Sequence, residues 1–522
     1  MVPPFFILIM KYRLLFVTSL LLSSLSLWSA SGDPLVAKTI ENVEMKFKIA
    51  SEEDKTCSVD RDAIDKYTSG VITIPEYVQG YKTVSIAQKA FEDCVNITSV
   101  IIPDGVQVIN EKAFRGCTSL VSINVPSGVQ SLSNMVFKDC KKLTSVSLSE
   151  GLLSIGSWAF QNCESLSEIH IPSTVTQIGH YGSNPFSGCT GLKAVHIKDI
   201  AAWCRIEFGN YDQNPLSIAH HLYLNNEEVR TVTFPADLEI NGKKSTQGYT
   251  FYGCEGLESV NIPEGVVELG QWLFVGCANL KTVNLPSTLS VIPYSAFQNC
   301  TSLETIDLPS TLSKLNNNAF DGCVSLKNIQ LPKGLTAISD YLFNGCRSLK
   351  EISIPESVES IGNGAFQDCT SLASIKIPQK VTSIGESAFH GCTALTEIDI
   401  PSDVQSIGKF AFTPLRSAMN LKVVRSYIRE PFNIPYATFT YTETLYVPYG
   451  TKSKYANTDY WSRFKNIVEM DEITGIKNVD TTSLSDSKQK YYDINGHLNN
   501  GLRKGINIIH KDNGESIKIF IK

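Results

Sequence analysis

The sequence predicts a β-rich solenoid, an array of about 13 Phe-anchored repeats of 23 residues with one long insert, capping segments and a small C-terminal β domain. Three observations carry that expectation. Phe251, Phe274, Phe297, Phe320, Phe343, Phe366, Phe389 and Phe412 follow one another at a constant step of 23, and Phe91, Phe114, Phe137 and Phe160 keep the same step. Each of these except Phe412 has a cysteine three residues later. Between landmarks the apolar residues read L-x-x-I-x-I-P-x-x-V-x-x-I-x-x-x-A-F-x-x-C.

A fixed period of about 20 to 30 residues with L-x-x-L-x-L-like spacing marks a leucine-rich solenoid. In the copy from Pro355 onward, Leu372, Ile375 and Ile377 open a short strand, and alternation sends Ile375 and Ile377 to one face. Pro378 ends that strand because it has no N–H to donate to a ladder. Val381 and Ile384 face inward across the opposite wall, Gly385 is expected in a turn, and Ala388-Phe389 plugs the interior before Cys392. One copy cannot bury this face alone, whereas stacked copies share a continuous core.

The phrases IPSTVTQIG, AFQNCTSLETIDLPSTL and AFHGCTALTEIDIPSDV resemble the BspA-type leucine-rich repeat of bacterial surface and secreted proteins, from roughly Val71 to Met470. The resemblance implies a curved solenoid and a role in adhesion or protein binding. Periodicity by itself implies only the solenoid.

Taken in order, residues 1–32 read as a secretory signal, with either Met1 or Met10 as its start. Lys11 and Arg13 form a charged region, Leu14 to Leu27 an apolar one, and Ser29-Ala30-Ser31-Gly32 supplies small residues for cleavage. A retained anchor helix is the alternative. Residues 33–85 form an N-terminal β cap, with alternation in Glu44–Ile49 and Val71–Pro75. The solenoid spans 86–440, and its regular step breaks between Phe186 and Phe251 at a long insert, 198–248. By resemblance the insert, with its Asn214-Pro215-Leu216, is a long repeat bulging from one face. Residues 441–472 form a C-terminal cap, a strand at Leu445–Tyr449 followed by a helix bearing Trp461 and Phe464. Residues 473–522 are a linker and a small β domain with turns at Asn495-Gly496 and Asn513-Gly514. That tail resembles the C-terminal sorting domains of Bacteroidetes type IX secretion substrates, with His497 where the pattern has arginine.

Of the fourteen cysteines, twelve hold one repeat position, while Cys57 and Cys204 lie outside it. Stacked copies place the twelve in a ladder spaced about 4.8 Å with parallel side chains. A disulfide needs converging Cβ atoms about 3.8 Å apart. Buried, reduced cysteines acting as small hydrophobes are therefore expected.

With 46 basic and 52 acidic residues, net −6, the chain offers no electrostatic case for nucleic acid. No P-loop, G-x-S-x-G or dinucleotide fingerprint is present, so neither a catalytic residue nor a cofactor is assigned. His170 and His196 occupy equivalent strand positions with Glu168 beside them. This is a set able to ligate a metal, but it is read here as solvent-facing polarity, with no metal site assigned. The outward column of the strands runs Asn124, Ser147, His170, His196, Asn261, Asn284, Asp307, Gln330, Ser353, Lys376 and Asp399. Within it Asn261, Asn284, Asp307, Gln330, His170 and His196 are the candidate binding residues, on the concave face that solenoids commonly present to partners. The expected function is a secreted or cell-surface protein-binding or adhesion module, its partner a host extracellular matrix protein or another surface protein. A surface glycan-binding protein is the alternative.

Overall fold

The computed structural model describes residues 34–180, 182–240, 242–413 and 421–470, together with the strands Lys490–Tyr492, Leu498–Asn499, Gly505–His510 and Ser516–Ile521. The chain is a β-solenoid of Phe-anchored coils, divided into two compact units, Met1–Ile240 with Thr246–Leu257 and Asn241–Ser245 with Glu258–Lys522. The expected signal sequence, the expected linker from 473 and the two Asn-Gly turns of the tail lie outside the described residues.

Every inward position of the repeat is buried in a representative coil: Val381, Ile384, Ala388, Phe389, Cys392, Leu395, Ile398 and Ile400. Two parallel ladders form the walls. In the first unit the short-strand wall runs through Val108–Ile109, Ser131–Leu132, Ser154–Ile155, Gln177–Ile178 and Glu207–Phe208. The facing wall uses longer strands, such as Ile97–Ile101, Ser122–Val125 and Ser145–Leu148. Ser145 pairs with Ser122 and Val146 with Ile123, so the register advances by one full repeat. Ahead of the first regular coil, Leu35–Lys38, Glu44–Ser51 and Thr56–Val59 pair antiparallel, and the last of them joins Tyr81–Ile86 in parallel. Met45, Phe47, Cys57 and Val59 are buried beneath them.

The phenylalanines stack ring on ring. From Phe91 to Phe186 successive centroids are 5.0–5.7 Å apart, and from Phe274 to Phe412 they are 5.3–5.8 Å apart. These separations suit offset stacking of aromatic quadrupoles. Phe439 extends the second stack at 5.0 Å from Phe412, and so plugs a coil that the 23-residue step does not reveal. Leu216 fills the equivalent place in the first unit. It is buried, and its N–H donates to Asn214 Oδ1 as the N–H of Phe186 donates to Asn184 Oδ1.

The cysteines do more than fill space. All fourteen are buried free thiols. In at least nine coils the thiol donates to the main-chain carbonyl of the phenylalanine one coil earlier, as Cys346 does to Phe320, at 3.0–3.3 Å. Each of those carbonyls also accepts the N–H of the cysteine in its own coil, as Phe320 does from Cys323 at 3.2 Å, so the thiol supplies a second bond to a group shut away from water. Burial pushes the thiols up, Cys94 and Cys189 to about 12. The residue before each of the nine hydrogen-bonded cysteines is left-handed: Gly116, Asp139, Asn162, Gly188, Asn299, Gly322, Gly345, Asp368 and Gly391 all have φ between 57° and 76°. Only glycine and the short, locally bonding Asn and Asp enter that region readily, which explains the choice of residue there.

Gly385 opens a turn, its carbonyl accepting the Ala388 N–H at 3.4 Å, and a Cβ there would lie 2.5 Å from the carbonyl carbon of Gly362, so close contact between coils also demands glycine. Two readings need correction. The segment 198–248 does not simply bulge, because Glu207–Phe208 pairs with Gln177–Ile178 and Leu222–Leu224 with Ala194–Ile197, carrying both walls forward. Its distinctive part is helix α1, Ile200–Arg205, which buries Trp203 with Nε1 donating to the Thr250 carbonyl. Finally, Trp461 lies in a 3-10 turn, Trp461–Arg463, rather than in the preceding helix Lys452–Ala456. Its ring packs at 5.7 Å from Phe439, and Thr444–Val447 and Asn466–Glu469 add two more rungs to the long-strand wall. In the tail, Gly505–His510 and Ser516–Ile521 form an antiparallel pair, as do Lys490–Tyr492 and Leu498–Asn499.

Phe320 is fully buried between Phe297 and Phe343. Phe320→Ala should therefore cost roughly 3–5 kcal/mol in denaturant unfolding, because neither neighbour can close the cavity; a loss under about 1 kcal/mol would show that the stack is not continuous. A second expectation concerns the thiols. Labelling after denaturation without reductant should find all fourteen free, with little reaction in the native protein. Recovery of native disulfides by mass spectrometry would contradict the hydrogen-bonded column.

Candidate binding surface

Outward side chains of the long-strand wall alternate with the buried ones, so each coil presents a short polar row to solvent. Parallel register then lines the rows into columns. Asn261 lies beside Asn284 in the pair Ser259–Asn261 and Thr282–Asn284. Asp307 and Gln330 are exposed and line one groove with Glu351, Ser353 and Lys376, over a floor that includes Ile329 and Ile352. The groove opens where the wall loosens: Ser353 and Lys376 form only an isolated bridge, and Ile375 is half-buried rather than buried. Lys376 turns toward Glu356, 2.7 Å away. Further along, Arg425 clamps both Asp399 at 3.1 Å and Glu397 at 2.9 Å.

His170 and His196 are neighbours in the first unit, whereas Asn261, Asn284, Asp307 and Gln330 belong to the second. The imidazoles stack with centroids 4.5 Å apart and 16° between planes. Tyr223 stacks on His196 at 4.9 Å, extending the row to three rings. Burial lowers the His196 pKa, and nearby His170 acts in the same direction. Nδ1 of His196 is buried and makes no hydrogen bond of normal geometry, although the Asn226 side chain is near enough to favour the protonated ring. Tyr223 was hidden from a column count because it stands 27 residues after His196, inside the irregular segment. Its signal is the register of Leu222–Leu224 against Ala194–Ile197. Not every column residue faces solvent freely: Asn124 is tied to the Ile102 main chain through both side-chain atoms, at 3.0 and 2.9 Å.

The chain belongs to the BspA-type leucine-rich repeat family, described as the BspA type Leucine rich repeat region, whose signature matches residues 84–211, 216–350 and 313–446 in six copies. No curated protein matches it. Among solved structures, a leucine-rich repeat protein from Bacteroides ovatus is similar at 23% identity and TM-score 0.47, over 85% of this chain and 100% of that one. A leucine rich cell surface protein from Faecalibacterium prausnitzii is similar at 23% identity and TM-score 0.33, over 62% of this chain and 95% of that one. A leucine-rich repeat protein from Eubacterium ventriosum is similar at 22% identity and TM-score 0.38, over 66% and 97%.

Proposed function

We propose that the chain is a non-catalytic, secreted or cell-surface interaction module that binds a protein partner through the long-strand wall of its coils. One observation carries this reading. The inward positions repeat almost unchanged from coil to coil, while the outward row changes from Asn261 and Asn284 to Asp307 and Gln330 on the same backbone frame. Such an arrangement lets specificity vary without disturbing the core. The groove through Asp307 and Gln330 adds a concave recess with an apolar floor and polar rim, the usual composition of a recognition site. Membership in a family of leucine-rich repeats, which generally bind proteins, favours a protein partner over a small molecule. A host extracellular matrix protein or another surface protein is the class we favour, with no role for nucleic acid. No described helix is long and apolar enough to cross a membrane.

Glycan binding is the second reading, and the stacked rings of His170, His196 and Tyr223 favour it, since the outward columns otherwise hold few aromatic groups. A glycan array run beside a screen of immobilised extracellular proteins separates the two. With a partner in hand, joint replacement of Asn261, Asn284, Asp307 and Gln330 by alanine should weaken binding at least severalfold in a pull-down or calorimetric titration. Stability should change little, by about 0.5 kcal/mol or less per site. Full binding by this variant would move the site off the long-strand wall of the second unit.

A further inference from the structure

The strands Glu168–His170 and Ala194–Ile197 run parallel, with Glu168 beside Ala194 and His170 beside His196. Alternation places Glu168 and His170 on one side of their strand, and the register brings His196 to the same side. Ala194 presents only a methyl group, which leaves room for the Glu168 carboxylate to reach both rings. Its Oε1 lies 3.4 Å from Nε2 of His170 and its Oε2 3.6 Å from Nε2 of His196. All three donor atoms fall within 4.8 Å of one another.

These separations have a simple chemical meaning. Around a tetrahedral ion with bonds of about 2.0–2.2 Å, adjacent ligand atoms stand roughly 3.3–3.6 Å apart. One carboxylate oxygen stands at that distance from each imidazole nitrogen, so ligation by both rings requires the stacked pair to turn their Nε2 lone pairs toward a common point. Tyr223, stacked on the far side of His196, restricts that ring, so the exposed His170 supplies most of the movement. Glu168 and His170 are exposed and His196 is half-buried, so hydrated ions have free access.

We propose that Glu168, His170 and His196 form a binding site for a divalent transition cation of the zinc, nickel and copper group. Two imidazoles with one carboxylate select that group, whereas calcium and magnesium require shells built from oxygen. Three protein ligands leave a fourth position facing solvent, as in open zinc sites.

The test uses the full chain, freed of metal with a chelator and titrated calorimetrically with zinc chloride at neutral pH, then with nickel and with magnesium and calcium salts. One equivalent of zinc should bind, with no heat from magnesium or calcium. His170→Ala and His196→Ala should each weaken zinc at least about tenfold, and His221→Ala, outside the site, should leave it unchanged. Circular dichroism guards against unfolding, which would expose thiols that bind zinc themselves. Should the His196 variant misfold, the exposed His170 decides alone. Cupric ion bound to the wild type should show nitrogen hyperfine coupling from imidazole that His170→Ala reduces. Absence of stoichiometric zinc binding, or binding unaltered by His170→Ala, overturns the proposal.

Discussion

Everything in this fold depends on a core that no coil owns. A phenylalanine ring is covered on each face by the rings before and after it, and its main-chain carbonyl receives the thiol of the following coil. Burial of each ring contributes about 1.5–3 kcal/mol, but only while both neighbours are in place. The same dependence fixes the details around the plug. A left-handed residue must precede the cysteine, and glycine must stand at Gly362, Gly385 and Gly408, where successive main chains approach too closely for a Cβ.

That repetition made the core legible. A constant step from Phe251 to Phe412 identifies the plug, and the intervening pattern assigns both walls, so the buried positions of an unseen coil follow from one copy. Legibility ended wherever an interaction ran through the main chain or the step broke. Nothing in the residue type of Cys346 discloses that its thiol reaches the Phe320 carbonyl, because that contact depends on which way the carbonyl points. Leu216 escaped notice because leucine replaces phenylalanine there, and Phe439 because 27 residues separate it from Phe412.

The outward surface was legible in a different measure. Columns can be counted from the repeat, and His170 and His196 do stand side by side. What the columns do not disclose is depth. The recess at Asp307 and Gln330 arises because strand pairing thins to an isolated bridge between Ser353 and Lys376, a change in main-chain bonding rather than in side-chain pattern. Likewise, the reach of Glu168 to two rings depends on the small Ala194 opposite it. The distinctive surface chemistry thus resides in local departures from a scaffold whose regular parts are nearly interchangeable.

Because each coil is held chiefly by its two neighbours, the array has the mechanical character of a stack of separable links. A terminal coil has lost one of its partners and yields first under tension, after which the next becomes terminal. Releasing 23 residues frees roughly 75–80 Å of extended chain. Pulled from its ends, a run such as Phe297 to Phe412 would lengthen in a sequence of such increments, which single-molecule stretching would register as a sawtooth of closely spaced steps. A single release of the whole array would instead mark it as one cooperative block. Stepwise yielding would dissipate load gradually, keeping the inner coils intact while the outer ones pay out.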